Sequence, residues 1–565
     1  MKGKEARAAK LLELAREDFG KLTRAEAKFF KAVAKGEVAD YRSKSEEKND
    51  PARAEDWGRG RVLKGDRIEW VCTEPEAAAL VGCRGIRVKG ARVSGELSLE
   101  YAKIEFPLRF ENCVFTERID LRYASVRGLY FKGTHSGAVA ADGMRVEGDV
   151  FLGGGFTAEG EVRLLGAGIG GDLDCVKGEF VNPGGYALNA DGMEVGGSVF
   201  LSEGFKAEGE VRLLGAEIGG QLDCTKGEFV NPGRYTLKAD GVGVEGDVFL
   251  SEGFKAEGEV RLLGAEIGGD LDCMKGEFVN PGGDALSAHR IKVEGSMFLR
   301  GGFKAEGKVV FVGAKVSGHF VWSGVDSPEK VTVDLRSARI GTLLDGEESW
   351  PDSGKLFLHG LIYDGVDDRA PKDAGRRIGW LRRQPSKPFR PQPYEQLAAV
   401  LRKEGRREDA KKILIAKEED RRRFTEISLL GKLWHGVLGV SIGHGYRPAR
   451  ALWFIVAIIL LGSFLFGAGF RGELLTPTKK EAYVSVEGGE DRRVSEEYPK
   501  FHAVMYSLDV LVPLVDLHQA SYWLPNANRP WGGALRSWLW FQIVSGWGLT
   551  TLLVVSLTGL VRREG

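Results

Sequence analysis

GEVRLLGAEIGGQLDCTKGEFVNPGR, from Gly209 to Arg234, occurs three times in this chain with few changes. The neighbouring copies are GEVRLLGAGIGGDLDCVKGEFVNPGG, Gly160 to Gly185, and GEVRLLGAEIGGDLDCMKGEFVNPGG, Gly258 to Gly283. Cys175, Cys224 and Cys273 mark the period, 49 residues. A fixed period of this size belongs to a solenoid, in which each repeat packs only on its neighbours. Each period also holds two similar halves. Val146-Glu-Gly-Asp-Val-Phe-Leu152 is echoed by Ile169-Gly-Gly-Asp-Leu-Asp-Cys175 and again by Val195-Gly-Gly-Ser-Val-Phe-Leu201. One coil therefore takes about 25 residues. Apolar residues alternate over short stretches, as at Val162 and Leu164 or Val248 and Leu250, which is the strand period. Gly-Gly, Asn-Pro-Gly and Asp-Gly separate these stretches as turns. No helical period is evident between Gly85 and Asp345. The expected fold is all-β, a right-handed parallel β-helix solenoid over 85–345, with roughly ten coils rising about 4.8 Å each.

Glycine is 79 of 565 residues, twice the usual ~7%, and is expected at corners that need φ > 0. Gly166-Ala-Gly168-Ile-Gly-Gly171 matches the dinucleotide fingerprint G-x-G-x-x-G. That fingerprint needs a helix behind it, and strand-like Asp172-Leu-Asp-Cys175 follows instead. Sister coils also carry Glu217 and Glu266 in place of Gly168. Equivalent cysteines lie two coils apart, about 10 Å, beyond the ~7 Å reach of a disulfide. They read as a buried ladder of small apolar side chains. With no C-x-x-C, a zinc or dithiol site has no support. Glu161 and Arg163, with their counterparts Glu210, Arg212, Glu259 and Arg261, read as a solvated outer face; the functional alternative is a charged docking surface.

Residues 1–84 are expected to form a helical N-terminal cap. Leu11 to Ala34 has a helical pattern without the apolar run of a signal peptide. Thr73-Glu-Pro-Glu76 reads as a capping box opening a short helix to Val81. Residues 346–393, rich in Pro and Arg towards their end, read as a linker, and 394–424 as a basic helical hairpin turning at Gly405. From Arg376 to Arg423 there are 16 Lys/Arg against 7 Asp/Glu, although the whole chain balances at 80 of each. Nucleic acid is one reading of a basic block. Residues 425–565 favour another, a membrane module.

Ala449 to Phe470 contains a single charge, Arg450, and Trp538 to Val561 contains none. Both runs exceed the ~20 residues that cross a bilayer, with Trp453, Trp538 and Trp540 near their ends. The basic block precedes the first span and Arg562-Arg563 follow the second, whereas Arg471 to Lys500 holds 6 basic and 7 acidic residues. The positive-inside rule then places both termini and the β-helix in the cytoplasm, where the reduced cysteines fit. Between the spans, 501–518 is too polar for a third span and too apolar for a solvated loop. It reads either as a re-entrant segment or as a helix lying on the bilayer. Asp509, Asp516 and His518 are functional candidates, because they are ionisable groups at membrane depth. Tyr506, Ser507 and Pro513 join them as pore-loop-like residues only through a resemblance to channels.

Two resemblances follow from these residues. LTRAEAKFFKAVAKGEVADYR (Leu22–Arg42), RGIRVKGARVSGEL (Arg84–Leu97), the GEVRLLGAEIGGQLD coils, YSLDVLVPLVDL (Tyr506–Leu517) and GWGLTTLLVVSLTGLVRR (Gly546–Arg563) resemble a bacterial family of glycine-rich β-helix repeat proteins. Members end in a C-terminal membrane segment and commonly carry the label membrane-associated oxidoreductase. That resemblance implies redox activity, while the sequence carries no flavin, nicotinamide, haem or iron–sulfur motif. The order of repeat domain, basic hairpin, Gly443-His-Gly-Tyr-Arg-Pro448, span, loop and span is similar to two-span pore-loop channels fused to pentapeptide repeats. Phe501, Ala503, Tyr506 and Ser507 fall where such channels have a pore helix. The chain departs from them in having no glycine between Gly489 and Gly532, so a TVGYG-type filter cannot be built.

The sequence thus leads to a non-enzymatic β-helix scaffold or sensor in the bacterial inner (plasma) membrane, binding a protein of unknown identity or assembling with itself. The alternatives are an oligomeric, channel-like protein with a degenerate pore loop and a membrane-associated oxidoreductase. Expected partners are the lipid bilayer, anionic lipid headgroups near the basic hairpin, and further copies of the chain, with no nucleic acid. No catalytic residue, cofactor or metal is expected.

Overall fold

The computed structural model describes residues 2–424, 429–443, 446, 449–485 and 492–557. It divides into two units, Met1–Ser386 with Gln392–Arg406, and Lys387–Pro391 with Arg407–Gly565. Helices are α1 (Lys2–Phe19), α2 (Arg24–Lys35), α3 (Gly65–Thr73), α4 (Pro75–Ala78), α5 (Ala374–Leu381) and α6 (Gln392–Lys403) in the first unit. The second holds α7 (Arg407–Phe424), α8 (Leu429–Ile442), α9 (Ala449–Arg471), α10 (Ala503–Leu511), α11 (Gln519–Tyr522) and α12 (Gly532–Leu557).

In the first unit, one column of apolar residues climbs from coil to coil in parallel register. It runs Ile86, Leu108, Leu129, Val150, Leu173, Val199, Leu222, Val248, Leu271, Met297, Phe320, Leu343, Val366. This is a parallel β-solenoid of about 12 turns. The first coil has four short sides, Ile86–Lys89, Arg92–Ser94, Leu97–Ser98 and Lys103–Ile104. Ile86 and Val88 are buried while Arg87 and Lys89 are half-buried, as the strand period requires.

Coil length varies, which explains the doubled period. Leu108 sits below Leu129, but Leu173 sits below Val199. The longer coils carry Asn182-Pro-Gly-Gly185 and its repeats as a bulge, visible as a register jump between Val181 and Tyr186. The Asn182 amide donates to the Tyr186 carbonyl at 2.8 Å, and Asn231 does the same to Tyr235 at 2.7 Å. Arg234 then bridges to the Gly184 carbonyl two coils away at 3.0 Å. Glycine has two uses here. Gly166 takes φ +60° at a corner, whereas a Cβ on Gly170 would come within 2.3 Å of the Glu147 carbonyl oxygen in the coil below.

The interior is a set of ladders. Phe110, Phe131, Phe156, Phe180, Phe205, Phe229, Phe254, Phe278 and Phe303 form a continuous stack with centroids 5.1–6.2 Å apart, ending on Trp322 at 5.7 Å. Each aromatic contact of this kind is worth about 0.5–1.5 kcal/mol beyond its area. Cys175, Cys224 and Cys273 are free and buried, and burial pushes their thiols far above the ordinary value. They alternate with Leu152, Leu201 and Leu250 up the stack. Outside, the repeated arginines are not simply solvated. Arg163 pairs with Asp142 at 2.8 Å, Arg212 with Asp191 at 2.6 Å and Arg261 with Asp240 at 3.0 Å, each one coil apart. Partly exposed pairs like these are worth at most ~1 kcal/mol each, so they fix register more than stability.

The N-terminal helices differ in detail from the sequence reading. The helical stretch breaks at Gly20, and the capping box is Thr23 with Glu26, not Thr73 with Glu76. Glu74 precedes α4 without a side-chain cap, because the Thr73 hydroxyl donates to the Glu69 carbonyl. Glu26 is buried with Arg67 at 3.0 Å. Ala39–Asp40 and Val62–Lys64 add parallel strands to two sides of the first coil.

At the other end, the boundary at 345 and the linker over 346–393 do not hold. Val333 pairs with Leu356 and Leu343 with Val366, so the solenoid continues to Val366. Asp373 then caps α5 by accepting from the Arg376 amide. Loss of the 49-residue sentence hid these coils, because only the inward side chains persist. α6 lies along the last strand and supplies partners for its backbone. Gln392 accepts from the Gly360 amide at 2.8 Å and donates to the Leu361 carbonyl at 2.9 Å. Gln396 donates to the Tyr363 carbonyl at 2.7 Å, and Glu404 accepts from the Val366 amide at 3.1 Å.

The two helices of the expected hairpin, α6 and α7, therefore fall in different units. The basic block is divided with them, and α7 alone has 7 Lys/Arg against 5 Asp/Glu. In the second unit α9 starts where expected. α12 begins six residues before the expected Trp538, since its backbone bonds extend through Arg536 regardless of side-chain polarity. Both helices are long and apolar enough to cross a membrane. Arg562-Arg563, residues 558–561 of the expected second span, and most of the Gly443–Pro448 motif lie outside the described residues.

Candidate functional site

α9 and α12 are built from Leu, Ile, Val, Ala and aromatic residues with glycines interspersed, and α10 lies between them. The contacts of α10 fix its direction. Phe501, just before it, stacks on Phe470 near the end of α9, centroids 4.7 Å apart. Tyr506, buried, meets Phe466 edge-on at 4.7 Å. Ser507, buried, donates from Oγ to the Ile459 carbonyl at 3.0 Å. Ile459 is near the middle of the 23-residue α9. Gln542, near the middle of the 26-residue α12, donates from Nε2 to Ser507 Oγ at 2.6 Å and to its carbonyl at 3.0 Å. α10 thus starts at the Arg471/Gly532 end and descends past the midpoints of both long helices.

Close approach is permitted by glycine at two positions. A Cβ on Gly462 would lie 2.4 Å from Ser507 Oγ and 2.7 Å from Gln542 Oε1. A Cβ on Gly546 would lie 1.7 Å from the Leu511 carbonyl oxygen, a backbone atom that cannot turn aside. Small residues at such crossings allow the van der Waals contact that holds helices together in lipid.

The chain then returns. Pro513 follows the end of α10, where a helix cannot continue through the missing amide. The Asp509 carboxylate accepts from the Leu517 amide at 2.7 Å and the Ala520 amide at 2.8 Å, tying the descending helix to the ascending segment. The Gln519 side chain accepts from the His502 amide at 3.0 Å, so residue 519 is level with the start of α10. Trp523–Pro525 pairs antiparallel with Leu475–Pro477. Segment 501–522 therefore enters and leaves on the same side of α9 and α12.

Of the sequence candidates, Tyr506 and Ser507 lie together in the helix crossing, and Asp509 braces the loop. Asp516 and His518 meet each other, Nδ1 to Oδ1 at 2.6 Å, with both side chains exposed. They do not meet Tyr506 or Ser507. Gln542 was missed by sequence reading, although one amide in an apolar run is a recognisable signal. Its Oε1 is buried and has no partner among the described residues. The Gly166–Gly171 fingerprint is followed by the strand Leu173–Asp174, not by a helix. Among the described residues no group of His, Cys, Asp and Glu is arranged to hold a metal. No family model matches the sequence, and no curated protein or solved structure matches it either.

Proposed function

We propose that this chain is a non-enzymatic scaffold or sensor, a cytoplasmic solenoid anchored in the bacterial inner membrane by α9 and α12. The observation that carries the reading is the exposure of large apolar side chains on both helices, including Trp453, Leu460 and Phe464 on α9 and Trp540, Val544 and Trp547 on α12. A core helix of a soluble protein would cover them, whereas lipid tails solvate them without cost. The solenoid is right-handed, its N-terminal helices cap the open end of the first coil, and its regular faces bind a protein partner or a second copy. Reporter fusions at Gly489 and after Gly565 should read opposite sides of the membrane, with the C-terminal one cytoplasmic. Equal signals would remove a span and with it the anchor. The purified full chain should be colourless; a flavin or haem band would restore the oxidoreductase reading.

A second reading is favoured by the re-entrant course of 501–522. With α9 and α12 across a bilayer, this segment reaches mid-membrane at Ser507 and leaves Asp516 and His518 exposed on its returning limb, between that depth and the level of the start of α10. Ionisable groups within a bilayer face a water-filled cavity or a bundle axis rather than lipid. Several copies around one axis would set a ring of carboxylates that attracts cations. In planar bilayers, Asp516→Asn should then cut cation over anion preference while membrane insertion is unchanged. Cysteines at 509 and 516 should react with an impermeant thiol reagent slowly at 509 and readily at 516. Rapid labelling of both, with no conductance in the parent protein, would sink this reading and leave the scaffold.

A further inference from the structure

A groove of about 1080 Å³ runs between α8, α9 and α12, lined by Val437 and Val440, Phe454 and Ile458, and Leu549 and Leu552. Its walls are almost entirely carbon. The hydroxyl of Ser441, which also lines it, is already spent on the Val437 carbonyl at 2.6 Å. Among the described lining residues one cation, Arg422, stands at the rim. Arg422, in the last turn of α7, packs its guanidinium beside Gly436, where an added Cβ would come within 3.6 Å of Nη1. Its neighbours Arg421 and Arg423 are engaged elsewhere, Arg421 with Glu418 at 3.7 Å and Arg423 over the Phe424 ring. Arg422 is exposed and has no ion partner among the described residues.

We propose that this groove holds the acyl chains of one anionic phospholipid of the inner leaflet, with its phosphate on Arg422. The inference rests on the membrane reading of α9 and α12. Three observations select this occupant over a second copy of the chain. The first is charge complementarity, since a lipid phosphate satisfies Arg422 and a neutral apolar helix would strand it. The second is position. The groove uses the first half of α9 and the last half of α12, which the positive-inside reading places in the cytoplasmic leaflet, where anionic lipids concentrate. The third is the shape of the lining, with Val440, Phe454 and Trp547 left uncovered around a volume that an extended chain can fill. Basic pockets between membrane helices on that side are suited to anionic headgroups. The lipid would brace α8 against the two spans and report the leaflet's charge to α7.

The test uses the full chain purified in mild detergent from carbonate-washed membranes. Release of the protein by carbonate would overturn the membrane reading itself. With the protein retained, dioleoylphosphatidylglycerol should raise its melting temperature more than dioleoylphosphatidylcholine at equal mole fraction. Lipid extraction and mass spectrometry should find phosphatidylglycerol enriched on the protein. Arg422→Gln should lower that enrichment about fivefold, the worth of one basic residue at an anionic surface. Gly548→Trp, which fills the groove without touching the charge, should lower bound lipid of both kinds. Equal response to the two lipids in the parent protein would overturn the proposal, as would enrichment unchanged in Arg422→Gln. So would efficient disulfide cross-linking between Val440→Cys in one copy and the same variant in another, which would put a second copy in the groove.

Discussion

Arg377→Met should destabilise the C-terminal turns of the solenoid by about 3–5 kcal/mol, the cost of stranding a buried charge. The Arg377 side chain is fully buried and Asp345 nearly so. Its guanidinium grips both Asp345 oxygens, at 2.9 and 2.7 Å, and donates from Nε to the Pro371 carbonyl at 2.5 Å. Trp350 adds a donor to Asp345 at 2.7 Å. Without the arginine, Asp345 keeps that one donor in a dry site and α5 loses its tie to the last coils. The pair itself adds little, since two well-packed apolar residues would replace it at small cost. Arg377→Met with Asp345→Leu should therefore recover part of the loss, less about 1–3 kcal/mol for the Trp350 indole N–H left without its acceptor. Hydrogen exchange at Leu343, Leu344 and Val366 is the readout, because one melting temperature does not describe a two-unit chain. A single variant with wild-type protection, or a double variant as unprotected as the single, would show that the site is wetter than its burial implies.

The same pair shows where the sequence was legible and where it was not. The 49-residue sentence carries strand alternation, turn dipeptides and register together, so the coils from 85 to 345 could be read directly. Past Asp345 the sentence is gone while the inward residues Leu356, Leu358 and Val366 remain. Apolar residues that recur at coil spacing without their turn motifs look like any loop. Arginine misled for a related reason. Arg377, Arg383 and Arg402 counted towards a basic block facing a membrane, yet Arg377 is buried in an ion pair and Arg383 donates to the Pro351 carbonyl at 3.0 Å. A residue count records charge without its neighbours. Conversely, the phenylalanines from Phe110 to Phe303 do not share one register, since Phe180 pairs with Ala207 and Phe229 with Ala256, and their shifting positions and unequal spacing concealed the aromatic stack.

In the second unit the legible part was the order of its segments. Tyr506 and Ser507 stand out only through the likeness to a channel's pore helix; in the structure they lie at the crossing of α9, α10 and α12. Their partner could not be found by local reading. Gln542 is 35 residues away in sequence, and its role depends on Gly462 and Gly546 bringing three helices within hydrogen-bond reach. Asp509 and Asp516 looked equivalent as acids in a polar interruption. Two backbone amides make the first structural, and only the second is left facing outward.

Ile218→Asp should cost more than any single surface change, while removal of a whole 49-residue period should cost far less. Ile218 is 1% exposed and stacks between Val195 below and Val244 above. A carboxylate there has no donor to meet, because the flanking backbone amides of Glu217, Gly219 and Gly220 are already spent on carbonyls of the preceding coil. Leaving it charged and unpaired costs several kcal/mol, and the equivalent position recurs in both neighbours, so no local repacking relieves it. Deleting Asp191 to Ala239 joins Ala190 to Asp240. The new neighbours are near-copies of the old ones: Val244 takes the place of Val195 over Ile169, and Phe254 follows Phe180 in the aromatic stack. Asp240 replaces Asp191 and brings its own partner, Arg261. Stability in such a stack is a sum over nearest neighbours, so the deletion removes two coils and their interfaces without creating a faulty one. Limited proteolysis of the full chain in membranes should cut the Ile218→Asp variant within the repeats and leave the deletion intact. Intact Ile218→Asp beside a degraded deletion would mean that long-range contacts, not stacking of neighbouring coils, hold this unit together.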